Sequence, residues 1–410
     1  MIQARDAVLP EAVPSITVGV VGQPCRAEVS PWGDVTPWGN RTAPVGTLRW
    51  FVAAEDRWHD PSVEAAVRQH RIAGTPVVET RLRIPDGDVV QNVWSTPDRG
   101  GVTVVEIYND SPLSFAVAFA GLAVLTDRPP ADVHVQGIDL PTDAFVMPVG
   151  HHASVRVAIP HEPERWAGHT PSEIRADRTS VVAGWTATVE RASRLDLPDD
   201  VLVTDVVEAR CDLLLAGPIA ATDDAIGFVL DVAELVRLGE SADAWIPEVV
   251  APIESLAKMD GADVDAALVA AERIAIAADD HRAAGDIARL RARRESTSPP
   301  PTTAFSEIDR DQSAGRFVHE VERRLATGGE LLPIGIPTPW RGASFEVHRV
   351  PTGVSSSVSF AVRWHGERPA ILWEQIGDRS TLSAPETDPG WITSEPSGEA
   401  LWHAPTQPTS

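Results

Sequence analysis

Three tryptophans that each follow a proline are the residues of this chain best suited to contact a ligand. They stand in Pro31-Trp32-Gly33, in Pro37-Trp38-Gly39 and in Pro339-Trp340-Arg341, which Gly342 follows. Proline and glycine beside an indole favour a loop that holds the ring face outward, where it can stack on the apolar face of a sugar ring. The predicted carbohydrate-binding residues are Trp32, Asp34, Trp38, Asn40, Arg41 and Trp340. The alternative is that the indoles are core anchors that plug the end of a β domain.

The other reactive residue types do not form a recognisable catalytic or metal-binding pattern. Histidines are loosely clustered at positions 134, 151, 152, 161 and 169. Adjacent His151 and His152 on a strand would point to opposite faces, so they would not ligate one metal together. The pair Gly328-Gly329 follows an expected helix and therefore predicts a C-terminal cap rather than a phosphate-binding loop. We predict no metal and no cofactor, and we assign no catalytic residue.

The charge balance limits the classes of partner. The chain has 35 Lys+Arg against 59 Asp+Glu, a formal net charge of −24, so its surface should repel nucleic acid and anionic lipid. The simpler reading is that this acidity only keeps the protein soluble. No run of about 20 apolar residues is present, and the N-terminus lacks the pattern of a signal peptide. We therefore predict a cytoplasmic protein in which Cys25 and Cys211 are reduced.

Residues 1–180 are predicted to form a large antiparallel β-sandwich, because apolar runs of strand length recur there between turn residues. One helical interruption is expected from Asp60 to Val67, with Pro61 in its first turn. The expected strands are Ile16–Val21, Leu48–Ala53, Val77–Ile84, Val89–Trp94, Val102–Tyr108, Phe115–Ala120, Val133–Ile138 and Val155–Ile159.

Residues 181–295 are predicted to form a short helical array that begins with a hairpin of two helices. Pro198 and two aspartates favour a helix start, and Gly217-Pro218 ends that helix. The second helix is expected to start with Thr222 as its cap and to end at Gly239. The acidic faces of both helices are expected to be solvated. Two further helices are predicted, Ala244–Met259 and one long alanine-rich helix from Asp263 to about Arg294.

The end of the chain is predicted to return to β structure. Residues 296–330 contain a proline-rich linker and a last helix, and residues 331–410 form a small β module with strands near Phe345, Val358–Trp364 and Ala370–Trp373. A polar hairpin is expected over Arg363–Pro369. The predicted fold class is therefore multidomain α+β: a sandwich, a short helical array and a small β module.

Trp185, the segment Arg194-Leu-Asp-Leu-Pro-Asp-Asp200 and the amphipathic helix after it resemble the linker of bacterial glucoamylase-like and glycogen-debranching-like proteins. In that six-hairpin glycosidase group, a large β-sandwich leads through such a linker into an (α/α)₆ barrel. Segments 75–84, 88–92 and 104–113 are similar to its sandwich strands. The family barrel needs twelve helices, whereas residues 199–327 have room for about five, since a helix with its connection takes about 20 residues. The resemblance therefore implies a truncated helical domain.

Three functions remain open at this point. The resemblance and the tryptophans favour a glycosidase-like protein of carbohydrate metabolism, with α-glucan as one ligand class, that binds or assists rather than cleaves. The second is an active glycoside hydrolase with its cleft between sandwich and helices or across a dimer. The third is an acidic scaffold that recruits a protein partner or a second copy of the chain.

Overall fold

The structure is a computed structural model that describes residues 15–38, 46–54, 57–131, 140–294 and 303–404. The fold is mixed α+β. The chain divides into two compact units, Met1–Trp185 and Thr186–Ser410. No helix within the described ranges combines the length and the apolar character needed to cross a membrane.

The first unit is built from strands. They are β1 Ile16–Gly19, β2 Arg26–Val29, β3 Val35–Pro37, β4 Arg49–Ala53, β5 Trp58–His59, β6 Val67–Arg71, β7 Val78–Ile84, β8 Gly87–Thr96, β9 Val102–Asp110, β10 Phe115–Ala120, β11 Leu125–Thr126, β12 Phe145–Val149 and β13 Ser154–Pro160. They form antiparallel sheets in the orders β1-β2-β3, β12-β10-β4-β5 and β11-β13-β9-β8-β7-β6. Side chains of all three sheets, such as Val29, Val117 and Val105, meet in one apolar core.

Most of the strands of this unit were predicted from the sequence, but the one helix predicted there is not present in the described residues. Phe115–Ala120 is a strand as expected, while the expected strand at Val133–Ile138 lies outside the described residues. The expected helix from Asp60 is wrong. The Asp60 carboxylate accepts hydrogen bonds from the Ser62 amide and hydroxyl, which closes a local turn. Val67 then begins β6, which pairs with β7.

Helices open the second unit. They are α1 Arg178–Val189, which crosses the division between the units, α2 Asp200–Ala216, α3 Ala225–Leu238, α4 Ala242–Leu256, α5 Ala262–Ala277, α6 His281–Ala292 and α7 Ala314–Leu325. The expected apolar faces of the hairpin are confirmed, since Leu213 on α2 and Val229 on α3 are buried. The cap of α3 is Asp224, whose carboxylate accepts from the Ile226 amide, and not Thr222.

The long alanine-rich helix is in fact two helices. Asp279 has φ +56°, a left-handed conformation that ends α5, and the Asp280 carboxylate caps α6 by accepting from the Ala283 amide at 2.9 Å. Aspartate tolerates this conformation better than most residues and is a preferred N-cap. The break allows α6 to fold back beside α5, where Arg294, just after α6, reaches Asp265 in the first turn of α5.

Strands complete the second unit. They are β14 Arg194–Asp196, β15 Ala326–Thr327, β16 Glu330–Leu331, β17 Phe345–Pro351, β18 Ser356–His365, β19 Arg368–Gly377, β20 Leu382–Ala384, β21 Asp388–Thr393 and β22 Ser397–Leu401. Their sheets have the orders β14-β17-β18-β19-β22 and β15-β16-β20-β21. All pairs are antiparallel except β16 with β20.

The helices and the late strands belong to the same compact unit. Val206 of α2 and Val321 of α7 pack in the same core as Val347 and Phe360. The expected hairpin at Arg363–Pro369 is confirmed as the turn between β18 and β19. The expected helix cap at Gly328-Gly329 is wrong, because both residues have positive φ in the turn between β15 and β16. Residues 295–302, most of the expected linker, lie outside the described residues.

Candidate functional site

Two of the predicted sugar-binding tryptophans lie at the surface of the first unit. Trp32, in the turn between β2 and β3, is 37% exposed, and Trp38, directly after β3, is 47% exposed. The Trp32 Nε1–H donates to the Asp34 carboxylate at 2.7 Å. Burial raises the pKa of Asp34 to about 6, although this hydrogen bond opposes the shift. Asn40 and Arg41 lie outside the described residues.

Trp340 is not a surface residue, so the prediction of an outward ring is wrong for it. It is 3% exposed in the second unit and packs against Phe305 at 5.1 Å and Phe345 at 5.4 Å between ring centroids. The short 3₁₀ helix Thr338–Trp340 turns the indole into the apolar core. Proline before tryptophan therefore did not distinguish a surface loop from a buried turn.

The paired histidines are placed differently from the prediction. His151 and His152 lie in a turn rather than on a strand, and His152 has φ +50°. Their rings are 3.8 Å apart between centroids instead of on opposite faces. His151 Nδ1 contacts the Ser111 carbonyl at 2.7 Å, and His152 Nδ1 contacts the Tyr108 hydroxyl at 3.1 Å. These hydrogen bonds stabilise the turn.

A cavity of about 730 Å³ lies within the second unit. Four helices and the turn after β17 enclose it. Its charged and polar lining residues are Glu234 and Arg237 on α3, Asp265 and Arg273 on α5, Arg291 on α6, His319, Glu322 and Arg323 on α7, and Thr327 and Thr352 beyond the helices. Such a volume lies in the range of small-molecule sites.

Three of the enclosing helices run in the same direction. At the start of α7, Arg316 pairs with Asp224, the N-cap of α3, at 3.4 Å and with Asp263 in the first turn of α5. The Gly315 amide donates to the Asp231 carboxylate in the middle of α3 at 2.6 Å. A Cβ at Gly315 would lie 2.5 Å from the Leu230 carbonyl oxygen, so glycine is required for this close approach. The last turns of α3, α5 and α7 consequently meet at one end of the cavity.

Four charged side chains at that end form an ion network: Arg210, Glu234 and Glu322, which are buried, and Arg237, which is 20% exposed. Arg210 Nε lies 2.7 Å from Glu234, and Arg237 joins Glu234 at 2.6 Å and Glu322 at 2.8 Å. Burial opposes the charge of Glu322, but the two arginines hold the pKa of this carboxyl well below its usual range. Burial likewise opposes the charge of Arg237, but Glu234 and Glu322 raise its pKa. Two cations and two anions therefore balance within the network.

Most of the remaining charges around the cavity are paired as well. Arg291 pairs with Glu272, and Arg323 pairs with Glu320 at 3.0 Å. Asp265 lies 3.4 Å from Arg294. These pairs neutralise the wall locally and leave one exception.

Arg273 is that exception. Its Nε–H donates to the Gly353 carbonyl at 2.9 Å, and a second guanidinium nitrogen donates to the same oxygen. Within the described ranges, no carboxylate forms an ion pair with it, unlike the other charged lining residues. Burial and the nearby charges of Arg237 and Arg291 lower the pKa of Arg273 to about 10, against the opposing effect of Glu322 and Glu234. It is still a cation at neutral pH.

His319 is the second polar group that faces the cavity without a strong partner. Its ring makes no hydrogen bond to any part of the chain that the structure describes. Burial lowers the pKa of His319 to about 4, and the charges of Arg273 and Arg323 act in the same direction, although Glu320 opposes them. The neutral ring therefore offers one donor and one acceptor to a bound molecule.

Glu322 is not suited to act as the general acid of a hydrolase. Glu322 accepts from Ser193 at 2.6 Å and from two arginines, and its low pKa keeps it ionised. A general acid needs a raised pKa near the working pH. The arrangement supports binding of charge rather than proton transfer.

Sequence reasoning missed this site. Asp231 and Glu234 were expected on a solvated face, but they are 1% and 4% exposed. One sequence feature could have indicated this site. Arg210 has the same helical spacing as the apolar residues of α2, and the charged Glu234 and Arg237 lie next to the apolar face of α3. Buried charges of this kind require partners, and those partners come from distant parts of the chain.

Comparison with known proteins does not supply an identity. No protein-family model matches the chain, and no curated protein gives a significant match. The function must therefore be inferred from the cavity and from the exposed indoles.

Proposed function

We propose that the second unit binds a small organic anion in the cavity enclosed by α3, α5, α6 and α7. The observation that carries this proposal is Arg273, a cation on the cavity wall whose hydrogen-bond acceptor is a single carbonyl oxygen. Removing a charge from water without a counter-charge is costly, and a bound anion would offset that cost. A guanidinium also matches a carboxylate or a phosphate with two parallel hydrogen bonds.

The rest of the wall supports the same ligand charge. The network holds Arg237 in place but uses its charge internally, so Arg273 remains as the excess cation. His319 lies close enough to Arg273 to feel its charge, and its neutral ring can donate a hydrogen bond to the same anion. The protein carries a net charge of −24, so a local excess of positive charge on a concave surface stands out from the average.

Sulfate is a suitable first probe because it does not titrate between pH 5 and 8. We expect sulfate to bind the wild type with saturation, measured by isothermal titration calorimetry in a chloride buffer. Arg273→Gln should weaken binding at least about tenfold, since charged hydrogen bonds contribute about 1.5–3 kcal/mol. The sulfate affinity of Arg273→Lys should lie between those of the wild type and Arg273→Gln, because lysine keeps the positive charge but lacks the two parallel donors of the guanidinium.

The control is Arg282→Gln, which removes the same charge from an exposed position on α6. It should leave sulfate affinity within about twofold of the wild type. Equal weakening by both variants would mean that sulfate responds to overall charge and would refute the site. No saturable binding by the wild type would refute it too.

We propose carbohydrate binding at Trp32 and Trp38 of the first unit as a second function. Its support is the exposure of both indoles in a surface region. Trp32 lies in the turn between β2 and β3 and Trp38 directly follows β3, so each indole is a separate candidate for contact with a sugar ring. A β-sandwich layout of the first unit and a relationship to six-hairpin glycosidases remain hypotheses that are consistent with carbohydrate binding.

Maltoheptaose titration tests that second function. Trp32→Ala and Trp38→Ala should each weaken binding with little change in melting temperature, because exposed stacking groups contribute to ligand contact rather than to the core. Trp340→Ala is the buried comparison and should cost about 3–5 kcal/mol of stability instead. The proposal is wrong if the wild type does not bind maltoheptaose, or if each variant that loses affinity also has a lower melting temperature.

A further inference from the structure

The cavity is larger than an inorganic anion requires, and its remaining wall is largely apolar. Besides its charged residues, the lining includes alanine, valine, leucine and proline side chains, among them Leu230, Ala266, Val269, Ala270, Ala288 and Pro351. An anion at Arg273 would fill only part of a volume of about 730 Å³. The rest of the space is available to the body of the ligand.

Part of this apolar lining is incompletely covered by the fold. Ala266 and Val269 of α5 and Ala288 of α6 are partly exposed, and they stand outside the helical core that buries Leu268 and Ile274. Ala266 and Val269 are three residues apart and lie on the same face of α5 as Arg273. One face of α5 thus presents apolar side chains that lead to a cation.

The chemistry of the wall distinguishes an apolar body from a sugar body. Sugar sites supply aromatic rings for stacking and several neutral hydrogen-bonding groups for the hydroxyls. Among the residues that line the described cavity there is no tryptophan, tyrosine or phenylalanine, and the neutral polar side chains are His319, Thr327 and Thr352. A polyol on this surface would leave hydroxyl groups unpaired, which is unfavourable.

We propose that the natural ligand class is an amphipathic organic acid, with one anionic group at Arg273 and an aliphatic body against Ala266, Val269 and Ala288. This inference rests on the proposed anion-binding function. Ala266 precedes Arg273 by seven residues, or about 10 Å along the helix. An extended chain advances about 1.3 Å per carbon–carbon bond, so an aliphatic body of about eight carbon atoms spans that length and one of six carbon atoms covers most of it.

A series of carboxylic acids measures how much the aliphatic part of the ligand contributes to affinity. Acetate, butanoate and hexanoate share one carboxylate and differ in apolar length, and gluconate is a six-carbon acid with hydroxyl groups. Each buried methylene improves affinity by up to about fourfold. We expect hexanoate to bind at least about tenfold more tightly than acetate in calorimetric titrations, and gluconate to show no such gain.

A larger side chain on the apolar part of the cavity wall tests where the aliphatic part of the ligand lies. Ala266→Leu should weaken hexanoate binding about tenfold or more while leaving acetate and sulfate within about twofold, because these small anions do not reach that part of the wall. The matched control is Ala251→Leu, an exposed position on α4 outside the cavity, which should change none of the affinities. Circular dichroism melting curves of both variants check that the fold is retained.

The outcomes separate the two proposals. If neither sulfate nor any acid binds, the anion-binding function itself fails. If sulfate and acetate bind through Arg273 but affinity does not rise with chain length, only the amphipathic class is overturned. Gluconate binding more tightly than hexanoate would also overturn it and would indicate a sugar acid. Weakening of acetate and hexanoate to the same extent by Ala266→Leu would place the body elsewhere and contradict the assigned orientation.

Discussion

The buried ion network and Arg273 lie at the same end of one cavity, yet their arginines have different surroundings. Arg210 and Arg237 each have carboxylate partners within 3.1 Å, and Glu234 and Glu322 are almost fully buried between them. Arg273 donates to a carbonyl oxygen only. Complete pairing indicates a structural role, because removing a partner leaves a buried charge, whereas incomplete pairing indicates a place for a ligand.

The largest expected effect comes from breaking the network. Glu322→Ala leaves Arg210, which is 2% exposed, with one of its carboxylates missing and deprives Arg237 of a partner. We expect a loss of about 3–5 kcal/mol in the free energy of unfolding, measured with urea. The exposed Glu254→Ala on α4 should change it by no more than about 0.5 kcal/mol. Similar losses for both variants would show that the network is not structural.

An intermediate effect is expected at His319 when the pH changes. Its pKa is lowered to about 4 in the folded protein, chiefly by burial, and is about 6.5 in the unfolded chain. Between pH 6.5 and 4 the unfolded state takes up a proton that the folded state does not, so stability falls as the pH falls through that window. His319→Gln should remove that part of the loss, on the order of 1–3 kcal/mol between pH 7 and 4.

Urea unfolding of His319→Gln at several pH values measures this difference. Burial also lowers the pKa of His161 in the first unit to about 4, so the His319→Gln variant still retains the pH dependence that comes from His161. The control is His281→Gln, an exposed substitution at the start of α6, which should leave the wild-type profile unchanged. A His319→Gln profile parallel to that of the wild type would contradict the assigned burial of its ring.

The smallest effect on stability is expected at Arg273. Without ligand, Arg273→Gln should change the free energy of unfolding by no more than about 1 kcal/mol, because the variant loses bonds to one carbonyl but also removes an unpaired charge. The same urea experiment that detects the Glu322→Ala loss measures it. A loss as large as that of Glu322→Ala would assign Arg273 to the structural framework and remove the main support for anion binding.

The strand and helix pattern was visible in the sequence because each element carries its own apolar period. Phe115–Ala120 and the apolar faces of α2 and α3 are such cases. The break between α5 and α6 was missed, since alanine and isoleucine continue the helical pattern up to Ala278 and a single left-handed Asp279 interrupts it. A one-residue conformational change leaves little trace in a periodic pattern.

The candidate site was not predictable in the same way. Glu234 is buried because Arg210 and Arg237 approach it from two directions, and Glu322 joins them from α7. Local spacing shows Glu234 and Arg237 on one helix, but it does not show that another helix delivers the remaining charges. Similarly, nothing in Pro339-Trp340 reveals that Phe305 and Phe345 surround the ring.

The pairing of β14 with β17 has a consequence for how the second unit forms during synthesis. Leu195 emerges from the ribosome about 150 residues before its partner Val347, with the helices made in between. Until then the short strand has an unpaired edge, and the helices lack part of the core that Val347 and Phe360 complete. Late closure of such distant contacts slows folding and prolongs exposure of apolar surface. A nascent chain that stops before Val347 therefore lacks the strand that pairs with β14 and part of the core of the second unit.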